Sequence, residues 1–233
     1  MSSYAYRRSP VYYWHPTRWI KAVEAHVPHK ALRDMINRAR FGDVVPLSDS
    51  AIYVDPANVR FEYTGGNRLR LRRQDSARVV GGNWDQNRGE IGETIRMQSC
   101  RMRFFEGADW EETPMYQRLL RQIGEGKKPD GCASVADLRR RFAGIDLLKA
   151  RTLAEGRFLN REELPENFRR EHGGILLHIA RDGTLLRSGG AGHRFAIARL
   201  LNLPEIPAQI GAIHREAVDN GVLASLRRTS RLT

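Results

Sequence analysis

The chain contains little cysteine and no long apolar segment. Its two cysteines, Cys100 and Cys132, lie far apart and form no CxxC pair, so the sequence predicts neither a zinc site nor a disulfide framework. No apolar run approaches the roughly 18 residues that a membrane span requires, and the N-terminus lacks the apolar segment of a signal peptide. We therefore expect a cytoplasmic protein without a membrane partner.

Negative charge is also scarce. The 39 lysines and arginines outnumber the 27 acidic residues, which gives a formal net charge of +12, and arginine greatly outnumbers lysine. Arginine forms bidentate hydrogen bonds with phosphate and carboxylate groups. The composition therefore predicts a polyanionic partner, and it leaves nucleotide, nucleic acid and anionic glycan open.

Residues 1–50 predict a basic helical segment. Apolar residues recur from Trp19 at helical spacing, and Pro28 is placed to begin a second helix that ends at Gly42. The second helix carries its apolar residues on one face: Leu32, Met35, Ile36 and Ala39. We expect a helical hairpin over residues 16–41 that buries this face and keeps arginine and lysine outside.

Residues 51–215 are predicted to form the main domain, followed by a basic tail over 216–233. The β-branched and aromatic residues of 51–63 indicate a strand that an Asp-Pro pair interrupts. Thr113 and Ser134 predict the starts of two helices, which run to about residues 123 and 154.

The segment between these elements, residues 64–108, shows little periodicity and leaves two features open. Its arginines within 68–78 fit either a face for a polyanion or an edge strand protected by charge. Asp85 follows Trp84 and is a candidate catalytic carboxylate that acts as a base or holds Mg²⁺. Alternatively, Trp84 packs on the core and Asp85 caps a turn.

The pattern of residues 174–213 is the clearest in the chain. It predicts a buried strand, a tight turn at Asp182-Gly183, a second strand, a helix and a last strand from Ile206. The helix is expected to bury its apolar positions: Phe195, Ile197, Ala198, Leu200 and Leu201.

The loop before this helix is the candidate binding site, and it comprises Ser188, Gly189, Gly190, Ala191, Gly192, His193 and Arg194. A helix start leaves amide N–H groups without partners and carries partial positive charge. Glycines let the backbone approach a ligand closely, and His193 and Arg194 lie in the first turn. We call residues 188–194 the anion loop, because this combination favours a bound phosphate.

A purely structural role for the anion loop remains open at this point. The glycines then make a tight turn, His193 packs and Arg194 pairs with an acid. The sequence has no GxxxxGK[ST] motif, and Phe195 stands where a dinucleotide fingerprint needs glycine or alanine. The sequence also predicts no metal site built from protein ligands alone.

Residues 174–213 resemble the core of the ParB/sulfiredoxin superfamily. The resemblance rests on Arg181-Asp182-Gly183, on the run Gly-x-x-His-Arg-x-x-Ile-Ala-x-Leu-Leu from Gly190, and on Ile206-Pro207. It implies an α+β fold with a ParB/sulfiredoxin-like core, in which a small mixed sheet is flanked by helices. An N-terminal helical hairpin and an inserted middle segment at about 63–135 are added to this core. Three stretches of the middle segment, at residues 79–85, 110–113 and 131–132, also resemble an uncharacterised, ParB-like branch of the superfamily.

The resemblance implies that the anion loop binds the phosphates of ATP or CTP, with contacts from Gly189, Gly190, Gly192, His193 and Arg194. If the protein is an enzyme, we expect Mg²⁺ with the nucleotide and catalytic roles for Asp85, His193 and Arg194. Sulfiredoxins carry cysteine where this chain has Gly192, so we do not expect their reductase chemistry. The residues after the last strand are too few for the helix-turn-helix domain of partition proteins, so we do not expect that domain.

Three functions follow from these observations. The first is a nucleotide-dependent phosphotransferase or hydrolase. The second is a ParB-like protein that binds DNA or another polyanion without sequence specificity, as in members labelled nucleases. The third is an accessory protein that kept the fold and lost the chemistry.

Overall fold

A mixed sheet organises the chain in the computed structural model, which describes residues 26–65, 69–159 and 174–229. Its strands are β1 Ala51–Val54, β2 Phe61–Tyr63, β3 Val79–Val80, β4 Arg88–Glu90, β5 Ile175–Ile179, β6 Leu185–Arg187 and β7 Ile206–His214. The strand order is β1-β7-β5-β6-β2-β4, and β3 joins the carboxyl end of β7. β7 runs parallel to β5 and antiparallel to β1.

Helices flank this sheet, so the predicted α+β class is confirmed in its general form. They are α1 Val27–Phe41, α2 Ile95–Phe105, α3 Pro114–Gly124, α4 Val135–Glu155, α5 Gly192–Leu200, α6 Arg215–Asp219 and α7 Val222–Thr229. No helix within the described ranges has the length and apolarity of a membrane-spanning segment.

The helices that carry clear capping residues lie where the sequence predicts them. The Thr113 hydroxyl accepts a hydrogen bond from the amide of Tyr116 at the start of α3. The Ser134 hydroxyl accepts one from the amide of Asp137, and Gly156 ends α4 in the left-handed conformation. Local chemistry is therefore enough to define both helices.

The predicted hairpin and the helix after it are also confirmed. Gly183 has a φ of 84°, and the Asp182 carboxylate accepts a hydrogen bond of 2.9 Å from the amide of Thr184. The middle of α5 is buried from Phe195 to Ala198, whereas Leu200 and Leu201 are only half-buried. The last turn of α5 therefore lies closer to the surface than its apolar residues suggest.

Helix α1 presents the opposite face from the one predicted. Leu32, Met35 and Ile36 are exposed, and Met35 retains 69% of its accessible surface. Lys30 and Asn37 are buried instead, because Lys30 pairs with Asp49 and Asn37 donates to the carbonyl of Ala77. The partner helix of the predicted hairpin, over residues 16–26, lies almost wholly outside the described residues.

The middle segment is part of the sheet, although its sequence shows little periodicity. β3 extends β7 through the pair Val79 and Ile213, and β4 pairs with β2. α2 packs on α5 and begins at Thr94, whose hydroxyl accepts from the amide of Met97. Residues 73–75 form a 3₁₀ turn, so the arginine-rich segment is no edge strand at that point.

The predicted basic tail folds onto the core as far as it is described. α6 and α7 occupy residues 215–229, and Ala217, Val218 and Leu223 are buried there. Apolar residues at these positions attach the end of the domain to the hydrophobic cluster of the sheet.

Candidate functional site

The anion loop connects the end of β6 to the start of α5. The amide of Ser188 donates to the carbonyl of Leu176, which fixes the beginning of the loop on β5. Gly189 and Gly190 are exposed, and Gly190 has a φ of 99° that favours glycine. Ala191 precedes the helix in the left-handed conformation.

Beyond Ser188, the backbone amides of the anion loop find no acceptor among the residues that the structure describes. Among the hydrogen bonds of the described residues, none has an amide nitrogen of residues 189–194 as its donor. The first bond of α5 runs from the amide of Phe195 to the carbonyl of Ala191, over 3.0 Å. No carboxylate in the described ranges therefore occupies the start of this helix, where the peptide dipoles place partial positive charge.

Three arginines from separate elements lie around these amides. Arg187, which is buried, donates to the carbonyl of Gly190 over 3.4 Å and to Glu62 over 2.9 Å. Arg96 of α2 lies against Gly192, since its Cδ is 2.5 Å from the position that a Cβ there would take. A guanidinium nitrogen of Arg73 is 3.8 Å from the corresponding position at Gly190.

Arg194 is half-buried and has no ion-pair partner in the part of the chain that the structure describes. Its guanidinium lies 5.6 Å from the centre of the Phe158 ring. Burial and the nearby Arg151 lower the pKa of Arg194 below its ordinary value. An anion bound beside this group would relieve both effects, so Arg194 is suited to a charged ligand.

His193 turns its ring into the protein, with 8% of its surface exposed. The ring packs edge-on against Phe142, and its Nε2 has no hydrogen-bond partner among the described residues. Burial lowers the pKa of His193 to about 4, and Arg141 and Arg96 act in the same direction. The imidazole is therefore neutral near pH 7, and it offers a hydrogen bond rather than a charge.

The structure does not bring Asp85 to the anion loop. Its carboxylate is fully buried and accepts hydrogen bonds from the Arg181 side chain over 2.8 and 2.9 Å. Arg181 follows the carboxyl end of β5 at the turn, whereas the anion loop begins beside Leu176, near the amino end of the same strand. To act as a base or a Mg²⁺ ligand at the phosphates, as predicted, the Asp85 carboxylate would have to lie beside the anion loop.

The electrostatics of Asp85 suit a structural ion pair. Burial alone would raise the pKa of Asp85, but the hydrogen bonds from Arg181 outweigh it, with help from His214, and hold the pKa below its ordinary value. Asp85 therefore stays ionised and holds the Arg181 side chain at the turn after β5.

Replacing Asp85 by alanine is expected to lower the free energy of unfolding by about 2 kcal/mol at pH 7. Removal of one partner of a buried pair costs about 3–5 kcal/mol, and the partly exposed Arg181 recovers some hydration. Chemical denaturation measures the change. Asp85→Asn keeps an acceptor for Arg181 and should cost less. If Asp85→Ala were as stable as the parent protein but bound phosphate ligands more weakly, Asp85 would belong to the binding site after all.

Comparison with protein-family models, with curated proteins and with solved structures finds no match for this chain. The chemistry of the site is therefore argued from its own residues.

Within the described ranges, no group of three or more His, Cys, Asp or Glu side chains could hold a metal ion. Glu62 is a carboxylate beside the anion loop, through its bond to Arg187.

Sequence reasoning identified the anion loop but missed the arginines around it. Arg187 directly precedes the loop, so it could have been predicted as part of the site from its position in the sequence. Arg96 lies on α2, a helix that the sequence did not predict, so nothing indicated that it approaches the loop. Arg73 belonged to the arginine-rich segment, whose contact with the loop depends on the tertiary fold.

Proposed function

We propose that this protein binds a nucleoside triphosphate, ATP or CTP, with the phosphates on the anion loop. The observation that carries the proposal is that the amides of residues 189–194, for which the described ranges hold no acceptor, lie among Arg73, Arg96 and Arg187. The resemblance of residues 174–213 to the ParB/sulfiredoxin core supports the same ligand class. The site would serve a phosphotransferase or a nucleotide hydrolase.

A phosphate chain fits the charge of this site better than a single carboxylate. Each charge-assisted hydrogen bond contributes about 1.5–3 kcal/mol, and the loop offers amides and guanidinium groups on two sides. Arg96 approaches from α2, and Arg73 approaches from the 3₁₀ turn at 73–75. A polyanion that contacts both sides would gain more than a monoanion that contacts one.

The chemistry expected of the bound ligand is transfer or release of its terminal phosphoryl group. Positioned cations stabilise the charge that develops on the phosphoryl oxygens, and Arg194 and Arg96 are suited to this role. Mg²⁺ bound to a nucleotide commonly takes one or two carboxylates from the protein. Glu62, which is bonded to Arg187, would be the candidate to supply one.

A nucleotide at 100 times its dissociation constant is expected to stabilise the protein by about 2.7 kcal/mol. Thermal unfolding with ATP, CTP, GTP, UTP and inorganic tripolyphosphate, with and without Mg²⁺, measures this shift at constant ionic strength. Arg194→Gln should remove most of it. Arg199→Gln is the matched control, because Arg199 lies on the same helix and contacts the carbonyl of Pro56.

Two results would overturn the proposal. Equal shifts for Arg194→Gln and the parent protein would place any bound nucleotide elsewhere. A protein that responds to no triphosphate but binds long DNA, with a steep loss of affinity at high salt, would support the DNA-binding alternative. Phosphate release in the presence of Mg²⁺ then separates an enzyme from a binding protein.

A further inference from the structure

A chain of hydrogen bonds connects the buried side of α1 to the edge of the anion loop. Lys30 is fully buried, and its Nζ lies 2.9 Å from Oδ1 of Asp49. The same oxygen accepts a hydrogen bond of 2.5 Å from Nε2 of Gln209. Oε1 of Gln209 in turn accepts one of 2.9 Å from Arg73. These four residues come from four separate parts of the sequence.

Gln209 is fixed in one orientation by these bonds. Its side chain projects from β7 and is 9% exposed. The carboxylate of Asp49 can only accept, so it takes the amide NH₂ group, and the guanidinium of Arg73 can only donate, so it takes the amide oxygen. A rotation of the Gln209 amide by half a turn would lose both bonds.

Gln209 is one of the partners that hold Arg73 in place. One guanidinium nitrogen of Arg73 is bonded to Gln209, and the other donates to the carbonyl of Gly174. That second nitrogen is the one 3.8 Å from the Cβ position at Gly190. The planar guanidinium is thus held beside the anion loop before any ligand arrives, which reduces the entropy lost on binding.

We propose that Gln209, held by Asp49 and Lys30, is a positioning residue that orients Arg73 toward the phosphates on the anion loop. The proposal rests on the proposed function of that loop. Gln209 acts through Arg73 and does not itself touch the ligand. Lys30 balances the charge of Asp49, which lets a carboxylate serve as the acceptor for Gln209 inside the protein.

A double-mutant cycle tests this role, with inorganic tripolyphosphate as the probe and calorimetric titration as the measurement. Gln209→Met keeps the length of the side chain and removes both hydrogen bonds. We expect Gln209→Met and Arg73→Met each to weaken binding by about tenfold. The variant with both changes should bind no more weakly than Arg73→Met alone, because Gln209 then has nothing left to orient.

A merely structural role predicts a different pattern. Gln209→Met would then lower the unfolding temperature and leave the affinity unchanged, or weaken binding further in the Arg73→Met background. Either result overturns the proposal. Gln209→Asn is the second variant if Gln209→Met fails to fold, since it stays polar and withdraws the oxygen from Arg73. A parent protein that does not bind tripolyphosphate contradicts the proposed function itself, and so the two failures are distinguishable.

Discussion

Gly192→Ala is expected to weaken the binding of ATP or CTP by roughly 50-fold with little change in stability. A Cβ at this position would lie 2.5 Å from Cδ and 3.1 Å from Nε of Arg96, so the Arg96 side chain must move away from the start of α5. Loss of one charge-assisted contact to phosphate accounts for an effect of this size. Calorimetric titration of the variant and the parent measures it.

Gly144→Ala is the matched control for this substitution. Gly144 lies within α4, and a Cβ there would meet nothing within 4 Å. Both variants replace a helical glycine, so both remove its backbone freedom from the unfolded chain. Only Gly192→Ala should lose affinity. Unchanged binding in Gly192→Ala would mean that Arg96 and the first amide of α5 are not part of the site.

Acid is expected to destabilise the protein well above the pH at which carboxylates titrate. Burial lowers the pKa of both His178 and His193 to about 4, against 6.5 in an unfolded chain. The unfolded state therefore binds more protons between these values, and the free energy of unfolding falls as the pH drops from 6.5 to 4. Each histidine contributes about 1.4 kcal/mol per pH unit, or roughly 5 kcal/mol for both at pH 4.5.

The contacts of His178 explain why it resists protonation. Its Nδ1 accepts a hydrogen bond of 2.9 Å from the amide of Ala212, and its ring packs edge-on against Tyr63 and Trp84. Asp75 opposes the effect of burial but does not overcome it. A proton on Nδ1 would break the bond to Ala212 and leave a charge between aromatic rings.

Urea denaturation at several pH values measures this dependence. The midpoint should fall steadily between pH 6.5 and 4.5, and His193→Gln should reduce the slope by about half. A stability that stays constant across this range would contradict the neutral, buried state of both histidines. Saturating nucleotide should also protect the parent protein more strongly than the Arg194→Gln variant.

The parts of the fold that were predictable carry their signals locally. The hairpin at Asp182-Gly183, the caps at Thr113 and Ser134 and the strand from Ile206 follow from neighbouring residues. α2 escaped prediction although Met97, Cys100 and Phe104 lie at helical spacing and pack in the core, because arginines and polar residues between them obscure the pattern.

Helix α1 illustrates why other parts were not predictable. Its apolar face is exposed because Lys30 and Asn37 find buried partners at Asp49 and Ala77, 19 and 40 residues away. A prediction from periodicity places the polar residues of a helix in water. A distant buried partner can instead stabilise the polar face inside the protein. Such partners exist only once the chain has folded.

The candidate site likewise contains parts that the sequence predicts and parts that depend on the tertiary fold. The anion loop could be found from sequence because a glycine-rich helix start is a local feature. The sequence did not show that Asp85 lies away from the anion loop. Its partner Arg181 is 96 residues away and lies at the turn of the hairpin. Arg73 and Arg96 approach the loop through tertiary packing, which no spacing in the sequence reveals.

The most direct test of the account is the response of the loop's own amides to a phosphate ligand. Two-dimensional ¹H–¹⁵N NMR of the labelled protein, titrated with ATP, CTP or tripolyphosphate, reports each backbone N–H separately. We predict that the amides of Gly190, Ala191, Gly192 and His193 shift first and saturate together, and that Gly192→Ala needs roughly 50-fold more ligand for the same shifts. Shifts that spread over the basic surface and leave these amides unmoved would contradict the central claim.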